Sequence, residues 1–332
     1  MISMSDEARP TKRIRIADSG PMLKQHDEFW FDDGNLVLVA GDTAFRIYRG
    51  LLTVQSRIFE NVFVSASPST DELLDGCPVV HLSDSPDDLV HLLRVLLPTS
   101  RKIFYLREGQ PVIQFEEVFA VARLAHKYGI EDIQSQALSC LQDSGYFSCD
   151  LHRFQYPDPT KVSVQPVHAI GAVILARLTD TPSMLPCALY RCCVLGGDLL
   201  DGWTRADGMV EHLTQDDLKR CVNARAMLAD DGWRAFCLVF DDNRTSTTCA
   251  RPDECRAGLR WVRATILNGD QMKERPALAA LRDWSREISQ GRLDHRFCAL
   301  CEKALQDRNK VGLGIFWTRL PVRFGLAGNG WP

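Results

Sequence analysis

No apolar run in this sequence approaches the roughly 20 residues that span a bilayer; the longest is about Ala169 to Ala176. No membrane helix is expected. A surplus of positive charge is also missing. Lys and Arg number 39 against 43 Asp and Glu, a formal charge of −4, which gives no global attraction to phosphate backbones or anionic lipid. Nucleic-acid binding would need a local patch, and none is evident. The opening residues Met1-Ile2-Ser3-Met4-Ser5-Asp6-Glu7 lack the basic-then-apolar layout of a secretory signal, which points to an intracellular, reducing setting. Whether that setting is nuclear or cytoplasmic is not resolved. Catalytic signatures are absent as well: the eight histidines form no HExxH pair, and neither a Gly-x-Ser-x-Gly elbow nor a phosphate loop ending in Gly-Lys-Ser/Thr occurs.

What is present is a chain of 332 residues, 45% apolar and 25% charged, near the averages of folded proteins and long enough for two domains. Twelve cysteines in a reducing setting need an explanation other than disulfides. Three of them (Cys77, Cys140 and Cys149) precede residue 150, and six of the seven tryptophans follow residue 200. This shift in composition, with Tyr156-Pro157-Asp158-Pro159 favouring an extended connection, sets the expected boundaries. Residues 1–26, polar and carrying Lys12, Arg13 and Arg15, are expected to be a disordered tail. Residues 27–146 form a first domain, 147–162 a linker and 163–332 a helical second domain. The fold class is α+β, an N-terminal mixed sheet with helices followed by an all-α domain.

In the first domain, Leu36 to Ala40 is a continuous apolar run suited to a strand buried on both faces. Gly41-Asp42 then turns it into a second strand over Thr43 to Tyr48. Ser56 is placed to cap a helix bearing Ile58, Phe59, Val62 and Phe63. Val79 to Leu82 reads as a further strand, and Ser85-Pro86-Asp87-Asp88 as the start of a helix whose inner face is Leu89, Leu92, Leu93 and Leu96. Residues 99–113 read as a loop with a short extended piece. Phe115, Val118, Phe119, Ala122 and Ala125 mark the next helix, stopped at Gly129. Ile130, Ile133, Ala137, Leu138 and Leu141 mark another.

These residues carry a resemblance. Asn35-x-x-Leu38-Val39, followed by Phe45-x-x-Tyr48-Arg49-x-Leu51-Leu52-x-x-x-Ser56-x-x-Phe59-x-x-x-Phe63, is similar to the BTB/POZ domain. Val79 to Leu82, the Leu89 to Leu97 helix and Phe115 to Tyr128 continue it in order. The entry Phe29-Trp30-Phe31-Asp32-Asp33-Gly34-Asn35 resembles that of the expanded fungal BTB family. The resemblance implies a protein-interaction module, commonly a homodimer, and no catalysis. In dimeric members an Asp in the place of Asn35 and a basic residue in the place of Arg49 line a charged pocket that recruits partners. Here the Asp is replaced by Asn35 and the usual His by Tyr48, so the pocket loses an anion. Some members act instead as substrate adaptors of cullin-type ubiquitin ligases, through the helix corresponding to Leu89–Leu97 and a helical extension.

The second domain reads as helical. Val167 to Leu178 and Leu185 to Leu195 are apolar segments, with Gly196-Gly197-Asp198 as a helix stop. Thr214-Gln215-Asp216-Asp217 opens a helix bearing Leu218, Cys221, Val222 and Arg225. Trp233, Phe236, Cys237 and Phe240 form another apolar stripe, read as core. Leu278, Leu281, Arg282, Trp284 and Ile288 indicate a helix after Pro276.

One set stands out. Cys298-x2-Cys301 can present two thiolates to one metal from a turn or helix start, and Cys249-x5-Cys255 offers a second pair from a polar, Thr-rich stretch. Four thiolates suit a structural zinc, with His295 as an alternative ligand; the competing reading is four separate thiols. The segment Ile315-Phe316-Trp317-x-Arg319-Leu320-Pro321-x-x-Phe324-Gly325-Leu326 resembles the tail of many fungal BTB proteins and is expected to pack onto the helical domain. A cysteine-dependent enzyme is the reading from another class, with a nucleophile and a base brought together only in space.

Overall fold

The computed structural model describes residues 13–15, 22–65, 72–97, 112–269, 280–326 and 331–332. It is an α+β protein whose chain divides into two units. The first takes in residues 1–111 and 116–140, the second residues 112–115 and 141–332.

The first unit is built on a six-stranded sheet. Its strands are β1 (Arg13–Arg15), β2 (Met22–Trp30), β3 (Leu36–Ala40), β4 (Thr43–Ile47), β5 (Leu73–Leu74) and β6 (Cys77–Leu82), in the spatial order β1-β2-β4-β3-β6-β5. β3 and β4 form the expected antiparallel hairpin, with Leu38 opposite Phe45. β3 also pairs in parallel with β6, with Leu38 beside Val80. Every residue of β3 is buried, as its unbroken apolar run predicts. Val37 and Val39 join Leu23, Ala44, Leu74, Cys77 and Val79 in one cluster, which leaves Leu36, Leu38 and Ala40 to the opposite face. At about 2 kcal/mol per fully buried aliphatic side chain, this central hairpin is a main source of the unit's stability.

Among the described residues, the helices α1 (Arg49–Gln55), α2 (Arg57–Ser65), α3 (Pro86–Leu96) and α4 (Phe115–Lys127) accompany the sheet in this part of the chain. Ser56 does cap α2, its hydroxyl oxygen accepting from the Phe59 N–H at 3.0 Å while donating to the Tyr128 carbonyl at 2.5 Å. Leu89, Leu92, Leu93 and Leu96 are all buried on α3, although the Ser85 hydroxyl makes no cap hydrogen bond. Gly129 ends the chain's run through α4 at φ +62°, and α5 (Glu131–Asp143) follows.

The tail over 1–26 is corrected in part. Met22 to His26 lie in β2, where Leu23 and Gln25 turn inward and Lys24 pairs with Thr43 of β4; β1 pairs antiparallel with β2. Polar neighbours hide this strand in the sequence, because only alternate residues face the sheet core. Residues 1–12 and 16–21 of that tail lie outside the described residues, as do 98–111 of the loop expected over 99–113.

The second unit is helical: α6 (Leu151–Gln155), α7 (Ala169–Leu178), α8 (Leu185–Leu195), α9 (Gln215–Val239), α10 (Pro252–Asn268), α11 (Ser285–Leu293) and α12 (Ala299–Arg323). Two short pairings accompany the helices: β7 (Ile113–Gln114) with β8 (Val162–Ser163), and β9 (Trp203–Thr204) with β10 (Val210–Glu211). Among the described residues, no helix is long and apolar enough to cross a membrane.

Residues 147–162 are not an extended linker. Asp150 caps α6 through the Arg153 N–H at 2.9 Å, and Phe147, Phe154 and Val162 are buried in this unit. α8 stops at Gly196, which adopts φ +70°. Thr214 caps α9, as expected, with its hydroxyl accepting from the Asp217 N–H at 3.2 Å. The stripe of Trp233, Phe236, Cys237 and Phe240 falls at the end of α9; Phe236 and Phe240 are core as expected, whereas Trp233 is half exposed against Phe236.

Within the described part of the segment expected to be helical after Pro276, residues 280–284 are not helical and α11 begins at Ser285, where Asp283 holds the Ser285 N–H and hydroxyl in a turn at 2.9 and 2.6 Å. Residues 270–279 lie outside the described set. The C-terminal segment packs within this unit as expected. Trp317 donates to the Cys149 carbonyl at 3.2 Å, and Leu320 and Phe324 are buried.

Candidate metal centre

Cys249, Cys255, Cys298 and Cys301 come together, with all four sulfurs within 4.8 Å of one another. Cys249 Sγ lies 3.6 Å from Cys255 Sγ and 3.7 Å from Cys298 Sγ. Disulfide sulfurs would be about 2.05 Å apart. Four sulfurs arranged tetrahedrally at about 2.3 Å from one ion would be about 3.8 Å apart. The two shortest of these spacings match those of ligands around a shared cation, and the four cysteines could hold a metal ion.

Two helix starts build the site. Cys255 sits in the first turn of α10, three residues after Pro252, which fits the N-terminal turn where its missing N–H costs nothing. Cys298 is the N-cap of α12, and Cys301 lies one turn in. The N-terminal ends of both helices, positive in their dipoles, therefore face the sulfurs and favour thiolate. Backbone donors add to this: the Cys298 N–H reaches Cys255 Sγ at 3.3 Å, and the Ser246 N–H reaches Cys301 Sγ at 3.4 Å. Cys249 arrives on a loop turned by its own N–H donating to the Ser246 carbonyl at 3.0 Å. Arg308 of α12 braces the start of that loop, donating to the Arg244 carbonyl at 2.9 Å.

Cys255 and Cys301 are buried and Cys249 and Cys298 partly so, at the edge of a core formed by Phe236, Phe240, Leu259, Trp284 and Phe297 among others. Burial raises the Cys298 thiol, but hydrogen bonds from the Cys301 N–H and the neighbouring thiols outweigh it and bring its pKa down to about 7. Burial pushes Cys301 up to about 12 and also raises Cys255. Cys255, Cys298 and Cys301 thus ionise unequally by themselves, whereas a bound dication would hold all four ligands as thiolates.

His295 is not part of the group; it occupies a turn at φ +58° between α11 and α12. Both cysteine pairs read from the sequence do converge. What the spacing did not reveal is Gly258. A Cβ on this α10 residue would lie 1.7 Å from the Arg296 carbonyl oxygen, so only glycine lets the chain ahead of Cys298 approach the helix. Gly291 makes similar room for the Phe297 ring, and the Arg296 guanidinium lies 3.7 Å over the Trp261 ring. Glycine at Cys255-x2-Gly258, inside an amphipathic helix, was the available signal.

Asn35 and Arg49, the other residues singled out from the sequence, are neighbours of a different kind. The Asn35 side-chain oxygen accepts from the Arg49 backbone N–H at 2.8 Å and so caps α1, while the Arg49 guanidinium lies over the Phe63 ring. Tyr48 donates to Asp33 at 2.5 Å.

No protein-family profile matches this chain, and no curated protein matches it significantly.

Proposed function

We propose that this chain is a protein-interaction protein. Its first unit, resembling a BTB/POZ domain, self-associates or recruits a partner protein, and its helical unit is held together by one structural zinc ion.

The interaction reading is supported by two exposed branched apolar side chains on the first unit's helices. Val54 of α1 is 85% exposed and Val64 of α2 is 61% exposed, while the neighbouring Leu52, Phe59 and Phe63 are buried. A folded unit that completes its own core yet keeps branched apolar side chains outside it has material for an interface. Light scattering on the full chain at tens of micromolar tests this. A dimer that becomes monomeric on Val54→Asp with Val64→Asp supports self-association, and a monomeric wild type excludes it.

The zinc assignment rests on the all-sulfur donor set, which selects zinc over oxygen-seeking magnesium or calcium, and on the number of ligands, four, which is that of a closed structural site. Elemental analysis of protein produced with zinc present is expected to give about one zinc per chain. Cys298→Ser with Cys301→Ser is expected to remove it, and metal-free wild-type protein would refute the assignment.

A further inference from the structure

The helical unit also contains a cleft of about 560 Å³, formed where α6, α7 and α8 meet the segment leading into α11. Its size is within the range of sites that enclose a small organic molecule. Tyr146, Phe154, Tyr156, Tyr190, Pro157 and Pro166 supply flat apolar walls. Tyr156 is exposed at the rim.

One wall carries Arg191, which stands over the rings of Phe154 at 4.5 Å and Tyr146 at 5.3 Å. It donates through Nε to the Tyr146 carbonyl at 2.7 Å and through Nη2 to the Phe154 carbonyl at 3.2 Å. Two of its five N–H groups are thereby used. The groups that act on its charge are Cys187, Tyr146 and Tyr190, none of them a carboxylate, and burial holds its pKa below the usual guanidinium value. Arg191 is partly buried and has no carboxylate partner among the described residues, so an anionic ligand would offset the cost of holding its charge there.

The remaining charges of the lining favour the same ligand. Arg286 is exposed and Arg282 is already paired with Glu287. Asp283, the carboxylate of the lining, is committed to the Tyr156 hydroxyl, to Ser285 and to the Asn309 amide. With Arg282 neutralised by Glu287, the guanidinium groups of Arg191 and Arg286 against the one carboxylate of Asp283 leave the lining cationic within a chain of net charge −4.

We propose that this cleft binds a small organic acid with a flat apolar body, the body stacked among Tyr146, Phe154 and Tyr190 and the carboxylate bonded to the free N–H groups of Arg191, with Arg286 at the entrance. The fork of the guanidinium matches a carboxylate, and the aromatic lining matches a flat apolar body.

Isothermal titration of the full-length, metal-replete protein with 1-naphthoate tests this, with 1-naphthalenemethanol as the uncharged control and acetate as the anion without a body. Naphthoate is expected to bind once per chain, with both controls weaker by roughly tenfold or more. Arg191 also braces two backbone carbonyls, so its replacement tests folding as well as binding. Arg286→Glu, on the surface, and Val194→Trp, which fills the cleft, therefore carry the decision, each verified as folded by circular dichroism. Both are expected to weaken naphthoate binding, Val194→Trp to below detection. Absence of saturable binding up to millimolar naphthoate, equal binding of the alcohol, or full binding by folded Val194→Trp overturns the proposal.

Discussion

Gly258 lies against the Arg296 carbonyl so closely that a methyl group on it would sit 1.7 Å from the oxygen. Two residues beyond Arg296, the Cys298 N–H reaches the Cys255 sulfur at 3.3 Å. The glycine and the paired thiols are thus parts of one close approach between α10 and the segment that starts α12. Gly258→Ala is expected to force these elements apart, with a loss of about 1–3 kcal/mol or more from overpacking. Zinc content should fall with it. A thermal melt together with metal analysis checks both, and an alanine variant with full stability and full metal content would show that the approach is not needed.

Asn35 caps α1 through its side-chain oxygen. Asn35→Ala is expected to cost about 1 kcal/mol, whereas Asn35→Asp keeps the acceptor, adds favourable charge at a helix start and should be neutral or stabilising. Urea denaturation of the three proteins measures the difference. Equal losses in both variants would mean that the cap contributes nothing.

Arg323 of α12 grips Asp231 of α9 with two hydrogen bonds, at 2.7 and 2.6 Å, and Asp231 is only 4% exposed. Arg323→Met leaves that carboxylate buried without its partner and is expected to cost about 3–5 kcal/mol. Replacing both residues, Arg323→Met with Asp231→Leu, should recover much of the loss, since the charge to be buried is gone. A double mutant as unstable as the single one would contradict this account.

Burial raises the Asp283 carboxyl, but hydrogen bonds from Ser285, Tyr156 and Asn309 outweigh it and hold its pKa below the ordinary 3.8. A carboxyl whose folded pKa is depressed contributes stability above its unfolded value and loses that contribution as pH falls through the folded one. Asp283→Asn is therefore expected to be less stable than wild type at neutral pH. The gap should close as the pH falls through 3.8 and below. Denaturation midpoints across that range provide the check, and a gap that stays constant with pH would assign the loss to shape rather than charge.

The parts legible in the sequence were those where one simple pattern decides the structure. The Leu36 to Ala40 run became the central strand, Gly41-Asp42 became its hairpin turn, and the leucines of α3 all turned inward. The two cysteine pairs were also readable, because metal-ligand spacing is local within each pair. Three things were hidden. β2 mixes Gln25 and His26 into a strand of alternating burial, so its apolar signal is half diluted. The stretch 147–162 looks like a linker because its prolines mask two buried phenylalanines, Phe147 and Phe154. Gly258 reads as a weak point in a helix until the Arg296 carbonyl appears beside it, a partner 38 residues away that no local pattern predicts.

The separation between the two cysteine pairs gives the centre a role in the unfolded chain as well. Cys255 and Cys298 are 43 positions apart. An ion held by both pairs closes that length of chain into a ring, and by the reasoning used for a covalent bridge this removes about 4 kcal/mol of disorder from the denatured ensemble. Residues 270–279 fall inside the ring. A single backbone cut there would open the loop, yet an ion held by both pairs would still tie the two pieces together through four sulfurs.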